Sequence, residues 1–220
     1  MAFLNDFIAG IPLTDAHRSQ LQNKRGFYDK TIDSMRLRSC GPHLRNDVWK
    51  FAEKDLRRFK FIDDKNQINP QLVHSNVLIP YSDSKGNIFK VRPHKYGLKG
   101  DGVHIYSEHI FDVTAEELIL TEGEFKAIAG WQYGFNTIAV PGITSFSRHH
   151  FEELKAFIET GKVKIIYVMF DSETKDNPEF TNYKQDWKNR YDTEIYSYIM
   201  GKKILDDTGI ECKIATLPRS

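Results

Sequence analysis

Cysteine is scarce in this 220-residue chain, which has only Cys40 and Cys212. The two lie far apart, outside any CxxC motif and with no histidine at zinc-ligand spacing, so the sequence supports neither a disulfide framework nor a structural zinc site. We expect both to be ordinary thiols, buried or half-buried. A run of about 18 apolar residues, as a membrane span requires, is also missing.

A basic leader is missing as well, because the stretch from Met1 to Asp15 holds Asp6 and no Lys or Arg. The cytoplasm is therefore the expected location. With 40% hydrophobic residues, the chain can bury a sizeable core, as one large domain or two small ones.

A large net charge is also absent, since the total is only +1. The charge is nevertheless uneven: residues 1–110 hold 18 Lys and Arg against 12 Asp and Glu, and residues 111–220 hold 13 against 18. A basic half and an acidic half suit a protein that holds a polyanion on one side and divalent cations on the other. Two solvated surfaces explain the same numbers equally well.

The stretch from Leu118 to Gly142 has the pattern of a β-α-β unit. A short apolar strand ends at Glu122-Gly123, a helical pattern runs on to Gly134, and a second strand ends at Pro141-Gly142. In open parallel sheets, ligands and catalytic groups collect at the carboxyl ends of the strands. Glu122 is therefore the first candidate functional residue.

A third predicted strand, Val163 to Phe170, is almost continuously apolar, as in a central parallel strand covered on both faces. It ends at Asp171, and Glu173 follows. We expect these acids to share a sheet edge with Glu122, where cations must offset their mutual repulsion. Mg²⁺ or Mn²⁺ takes one or two such carboxylates together with water and substrate phosphates.

The first half of the chain contains a predicted hairpin, with strands Val77 to Tyr81 and Ile88 to Arg92 around a turn that includes Lys85. A glycine-rich basic segment follows. Such a segment either contacts phosphates through side chains and exposed N–H groups or is a solvated loop. Its cations are Arg92, His94, Lys95 and Lys99.

Three further elements are predicted. Trp49 to Phe61 reads as a basic helix whose aromatic residues favour core packing over base stacking. Thr193 to Asp207 reads as a helix with Ile195, Tyr198, Ile199 and Leu205 facing inward. Ile210 to Leu217 reads as a last strand, so the second half is expected to form a doubly wound, mostly parallel α/β sheet.

The turns Glu122-Gly123, Val140-Pro141-Gly142 and Phe170-Asp171-Ser172-Glu173 together resemble a TOPRIM domain. That domain occurs in bacterial-type primases, topoisomerases and some nucleases. The resemblance implies a glutamate after the first strand, acting as general acid, general base or metal ligand. It also implies an Asp-x-Asp pair after the third strand that holds Mg²⁺, here Asp171 and Glu173.

The upstream segments KRGFYDKTID, NVLIPYSDSKGNIFKVRPHKY and HIYSEHIF look like the catalytic core of bacterial and phage replicative primases. The resemblance implies a basic α+β amino-terminal subdomain over residues 1–112 and a TOPRIM domain over residues 113–220. Arg92 and the pair Lys95-Tyr96 match the basic residues that face the metals in that family, and Lys99, Lys85 and Arg25 are further candidates for nucleotide or nucleic-acid binding.

The chain departs from the family pattern at two places. Lys126 stands where family primases often have Asp, and Glu173 stands where the second Asp is usual. A zinc-binding module, a Walker-type loop and a topoisomerase domain with a nucleophilic tyrosine are not seen. The chain stops shortly after its fourth predicted strand, as expected of a piece of a longer protein.

The resemblance implies a DNA primase-like nucleotidyltransferase that makes short primers on single-stranded DNA with Mg²⁺ or Mn²⁺. Glu122, Asp171 and Glu173 would form its metal and catalytic site. Nucleoside triphosphates and a replicative helicase, fused or separate, are the expected partners, and a phage, plasmid or other mobile element is the expected setting. A TOPRIM nuclease and a non-catalytic nucleic-acid-binding module of a replication complex are the alternatives.

Overall fold

The computed structural model describes residues 2–42, 44–94, 104–106, 108–140, 142, 148–171 and 193–215. These residues fall into two compact units. The amino-terminal unit takes in the described parts of Met1–Val103, Ser107–Ile110 and Ile128–Gly134. The sheet unit takes in the described parts of His104–Tyr106, Phe111–Ala127 and Phe135–Ser220.

The amino-terminal unit combines short helices with a small antiparallel sheet of order β1-β2-β3. Two 3-10 turns, Val48–Lys50 and Glu108–Ile110, also belong to it. Its helices and strands are α1 Ala2–Gly10, α2 Asp15–Arg25, α3 Asp29–Ser34, β1 Arg38–Ser39, α4 Leu44–Asp47, α5 Glu53–Arg58, α6 Pro70–His74, β2 Val77–Ser82 and β3 Ile88–Pro93.

The predicted hairpin is confirmed as β2 and β3, which pair antiparallel. The carboxylate of Asp83 accepts hydrogen bonds from the backbone N–H groups of Lys85 (3.0 Å) and Asn87 (2.8 Å). Gly86 adopts φ +79°, a left-handed conformation that glycine takes without a steric penalty. Local turn chemistry therefore explains why the chain reverses here.

The aromatic residues predicted to pack in the core do so with one exception. Phe61 is buried against Phe7, with ring centroids 4.5 Å apart, and Phe51 and Phe59 pack against the same cluster. Trp49 is instead 48% exposed. The single helix predicted from Trp49 to Phe61 is wrong, because Phe51 adopts an extended conformation (φ −109°, ψ 157°) that ends the 3-10 turn before α5 begins.

The sheet unit is built on four parallel strands in the order β5-β4-β6-β7. The mostly parallel α/β sheet predicted from the sequence is therefore confirmed. Its elements are β4 Glu117–Glu122, α7 Glu124–Gln132 (whose last residues are grouped with the other unit), β5 Thr137–Val140, α8 Arg148–Thr160, β6 Ile165–Met169, α9 Thr193–Thr208 and β7 Glu211–Ile214.

Strand β4 lies inside the sheet between β5 and β6. Its Leu120 pairs with Ile138 on one side and with Val168 on the other, and all three side chains are fully buried. On the far side of β5, Tyr106 and Ala139 form an antiparallel bridge through two backbone hydrogen bonds of 2.8 and 2.5 Å. Helix α8 packs on this sheet through Phe151, Leu154 and Ile158.

Helix α9 presents a different face to the sheet from the one predicted. Tyr198, Ile199 and Leu205 are 60%, 58% and 48% exposed, so their predicted inward orientation is wrong. Among the side chains of α9 that the structure describes, the buried positions are Ser197, Met200, Gly201 and Ile204. A Cβ added to Gly201 would lie 3.1 Å from Ile214 Cδ1 and 3.4 Å from Cys212 Cβ, which shows how closely the helix approaches β6 and β7. The side chain of Ile195 lies outside the described residues.

Both cysteines are free thiols, as predicted. Cys40 is buried and donates its S–H to the carbonyl of Leu72 at 2.6 Å, and burial raises the pKa of this thiol to about 12. Within the described part of the chain, no helix is both long enough and apolar enough to cross a membrane.

Candidate active site at the sheet edge

Two of the predicted acids leave neighbouring strands at the same edge of the sheet. Glu122 is the last residue of β4, and Asp171 lies two residues beyond the end of β6. The strands are parallel and in register, with Thr121 opposite Met169. The carboxyl ends of both strands therefore deliver a carboxylate to one edge, where α/β proteins bind ligands.

Gly123 sets the direction in which the chain leaves Glu122. It adopts φ +82° and donates its N–H to the carbonyl of Val140 at 2.8 Å, which ties the turn to the end of β5. Helix α7 starts at the next residue, and the carbonyl of Gly123 accepts the N–H of Lys126 at 3.2 Å. Glu122 is left half-buried at the junction of strand and helix.

Lys126 forms an ion pair with Asp171. The two side chains are 39% and 47% exposed, so water reaches both partners. Lys126 stands in the first turn of α7, four residues after Glu122, and its ammonium lies against Asp171 Oδ2. Lys126 therefore supplies a positive charge that compensates Asp171, at a position where the resemblance leads one to expect an acid.

The donor set of this edge fits one cation that brings ligands of its own. Mg²⁺ usually keeps several waters and binds one or two carboxylates together with substrate phosphates, and Glu122 and Asp171 can supply those carboxylates. No group of three or more His, Cys, Asp or Glu with the arrangement of a metal site occurs among the described residues. Glu173 lies outside them, so its predicted role stays a prediction.

The predicted basic residues within the described range all belong to the amino-terminal unit. Arg92 is half-buried on β3 opposite Ile79, Lys85 is exposed in the hairpin turn, and Arg25 is exposed at the last residue of α2. Lys85 precedes β3 in the turn, whereas Arg92 is the fifth residue of β3, roughly 13 Å along the strand from Ile88. Lys95, Tyr96 and Lys99 lie outside the described residues.

Arg36 is a residue with a defined role that the sequence did not reveal. It adopts a left-handed conformation (φ 52°), and its guanidinium donates to Ser82 Oγ at 2.7 Å and to the carbonyl of Gly86 at 2.8 Å. These bonds join the chain before β1 to the turn of the β2-β3 hairpin. Residues other than glycine and asparagine rarely adopt this conformation, so an arginine in the sequence does not predict it.

Two more polar residues, the buried Lys90 and the half-buried His109, were not predicted from the sequence. Lys90 is only 7% exposed, and its ammonium lies 5.3 Å from the centre of the Tyr81 ring, within cation–π range. Burial lowers the pKa of His109 to about 4, and the charge of Arg36 acts in the same direction, while a hydrogen bond to the backbone of Ser82 opposes both. Burial of single polar residues depends on tertiary packing, which a local pattern does not encode.

The comparisons with known proteins fall into two levels. In sequence, residues 108–190 match a domain of unknown function, DUF3854. No protein of curated function matches the chain.

In structure, the chain is similar to the DnaG catalytic core, with a TM-score of 0.67 at 15% identity over 100% of this chain and 71% of the other. The fold is that of a DnaG catalytic core. It is also similar to the DnaG primase catalytic domain bound to single-stranded DNA (TM-score 0.60, 15% identity, 100% and 72% of the two chains). A third neighbour is the RNA polymerase domain of Mycobacterium tuberculosis primase DnaG in complex with double-stranded DNA (TM-score 0.63, 12% identity, 100% and 71%).

Proposed function

We propose that the protein is a primase-like nucleotidyltransferase that joins nucleotides on a single-stranded DNA template. The observation that carries this proposal is the position of Glu122 and Asp171 at the ends of adjacent parallel strands of a DnaG-type sheet. The DnaG neighbour bound to single-stranded DNA supports the choice of template. A replicative helicase, fused or separate, is part of the proposal as a partner.

Each acid has a distinct proposed role. Asp171 and Glu173 would hold Mg²⁺ or Mn²⁺, and Glu122 would complete that site or accept a proton from the primer 3′-hydroxyl. A bound divalent ion would offset the charge of the triphosphate and make the hydroxyl easier to deprotonate. The carboxylate of Glu122 can hold a proton at either oxygen, so a neutral amide at this position would lose the function while keeping the shape.

The basic residues would bind the phosphates of the template and of the incoming nucleotide. Arg92 offers a planar guanidinium that suits phosphate oxygens, while Lys85 and Arg25 offer exposed charges. We propose that Lys95, Tyr96 and Lys99 also bind the template or the incoming nucleotide. Because each lysine or arginine that contacts phosphate releases counterions, binding to DNA should weaken as the salt concentration rises.

The test is template-directed incorporation of labelled ribo- and deoxynucleotides with Mg²⁺ or Mn²⁺. We expect Asp171→Asn and Glu122→Gln to lower the rate by about 100-fold or more. Asp206→Asn is the matched control, because Asp206 is also paired with a lysine, Lys202, but on the exposed side of α9. Full activity of Asp171→Asn would refute the proposed role of Asp171.

A non-catalytic nucleic-acid-binding module is the second candidate, because Lys126 already compensates the charge of Asp171. It predicts DNA binding by the native chain, no incorporation with either metal, and no change in DNA affinity in Asp171→Asn. The same reactions without nucleotides test the nuclease alternative, since cleavage of labelled DNA that is lost in Glu122→Gln would favour it.

A further inference from the structure

The ion pair between Lys126 and Asp171 has no evident structural purpose. Both side chains are well exposed, at 39% and 47%. Pairs of this kind typically shift an equilibrium by less than about fivefold, because water and salt screen the charges. The pair is therefore a weak contribution to the fold, and a stronger cation can displace it.

The position of the pair is more informative than its strength. Asp171 extends from the end of β6 at the same sheet edge as Glu122, and Lys126 reaches it from the first turn of α7. The ammonium lies against the same carboxylate that would bind a divalent ion. The lysine and the ion therefore compete for the same carboxylate.

We propose that Lys126 is a built-in competitor of the divalent cation at Asp171, which lowers the metal affinity of this edge. The inference rests on the proposed metal site and adds a regulating residue to it. Lysine suits this role because its compact charge sits on a flexible four-carbon stem, which can release the carboxylate when a more highly charged ion arrives. While it stays, its positive charge also repels the incoming ion.

Binding of Mn²⁺ alone to the full chain, without nucleotide or DNA, tests this inference. Free Mn²⁺ is measured by electron paramagnetic resonance at fixed pH and ionic strength. We expect Lys126→Gln to tighten Mn²⁺ binding about tenfold, because both the competition and the repulsion are removed. Lys126→Arg keeps the charge and can hold the carboxylate with two N–H groups, so it should bind Mn²⁺ no more tightly than the native chain.

Two controls connect the effect to Asp171. Lys202→Gln removes the lysine of an exposed pair with Asp206 on α9, so it changes the net charge by the same amount away from the site and should leave Mn²⁺ binding unchanged. The double variant Lys126→Gln with Asp171→Asn should bind Mn²⁺ no more tightly than Asp171→Asn alone. The gain in affinity from removing Lys126 should therefore disappear when Asp171 is absent.

The inference is overturned if Lys126→Gln binds Mn²⁺ no more tightly than the native chain. It is equally overturned if the gain survives in the double variant, because the competition would then not take place at Asp171. Failure of the proposed function has a different signature. In that case no variant, including Lys126→Gln, makes primers, although the pattern of Mn²⁺ affinities holds.

Discussion

Gly123 sets the direction in which the chain leaves β4, directly after Glu122. Its φ of +82° is a conformation that residues with a Cβ rarely adopt, and a Cβ added there would meet no atom of the described residues within 4 Å. Substitution therefore introduces backbone strain without a clash. We expect Gly123→Ala to lower the free energy of unfolding by about 1 kcal/mol, measured by urea denaturation.

Gly123→Asn is the matched variant for this prediction. Asparagine tolerates the left-handed region better than alanine does, so it should cost less stability in the same measurement. A larger loss with asparagine than with alanine would show that space, and not backbone strain, limits this position.

Helix α9 gives a testable prediction at the scale of one element, because two adjacent residues differ sharply in burial. Ile204 is fully buried and Leu205 is 48% exposed. We expect Ile204→Ala to lower the free energy of unfolding by about 2–4 kcal/mol, because it leaves a cavity against the sheet. Leu205→Ala should change it by less than about 0.5 kcal/mol. Similar losses in both variants would contradict the observed orientation of α9.

The same helix shows what the sequence could and could not predict about the elements. Strands β4 and β6 were predictable because each is a short apolar run that ends in a glycine turn or an acid. Helix α9 is apolar on more than one side, so its pattern alone did not choose a face. Gly201 lies on the buried face, where the lack of a side chain lets the helix approach β6 and β7 closely.

The candidate site also has a part that could be predicted from the sequence and a part that could not. Glu122 and Asp171 were predictable because strand ends in a parallel sheet share an edge by topology. Contact between Lys126 and Asp171 was not, because 45 positions separate them in the chain and only the pairing of β4 with β6 brings them together. The spacing of Lys126 from Glu122 was visible, but its partner was not.

At the scale of the whole molecule, His109 makes stability depend on pH. Its pKa is about 4 in the folded chain, below the usual value of 6.5, so the folded state disfavours the charged form. The unfolded chain takes up the proton first as the pH falls. The contribution of His109 is therefore fully present above about pH 6.5 and is lost between about pH 6.5 and 4, by up to about 3 kcal/mol.

Urea denaturation of the native chain and of His109→Gln between pH 7.5 and 4 measures this contribution. Other groups lose stability with acid in both proteins, so the difference between the two curves isolates His109. We expect that difference to shrink as the pH falls through this window. His74→Gln, at an exposed histidine, is the control and should run parallel to the native chain. Parallel curves for His109→Gln would contradict the prediction.

The bridge between Tyr106 and Ala139 has a consequence for how copies of this protein meet. Strand β5 is an outer strand of only four residues, and its two hydrogen bonds to Tyr106 occupy backbone groups that a foreign strand would need. The opposite outer strand, β7, is equally short and exposes Glu211 and Lys213. Brevity, charge and a backbone bridge are devices that protect sheet edges from intermolecular pairing. Within the described residues, both outer strands of the sheet therefore carry features that disfavour edge-to-edge aggregation, while Glu122 and Asp171 lie at its carboxyl end.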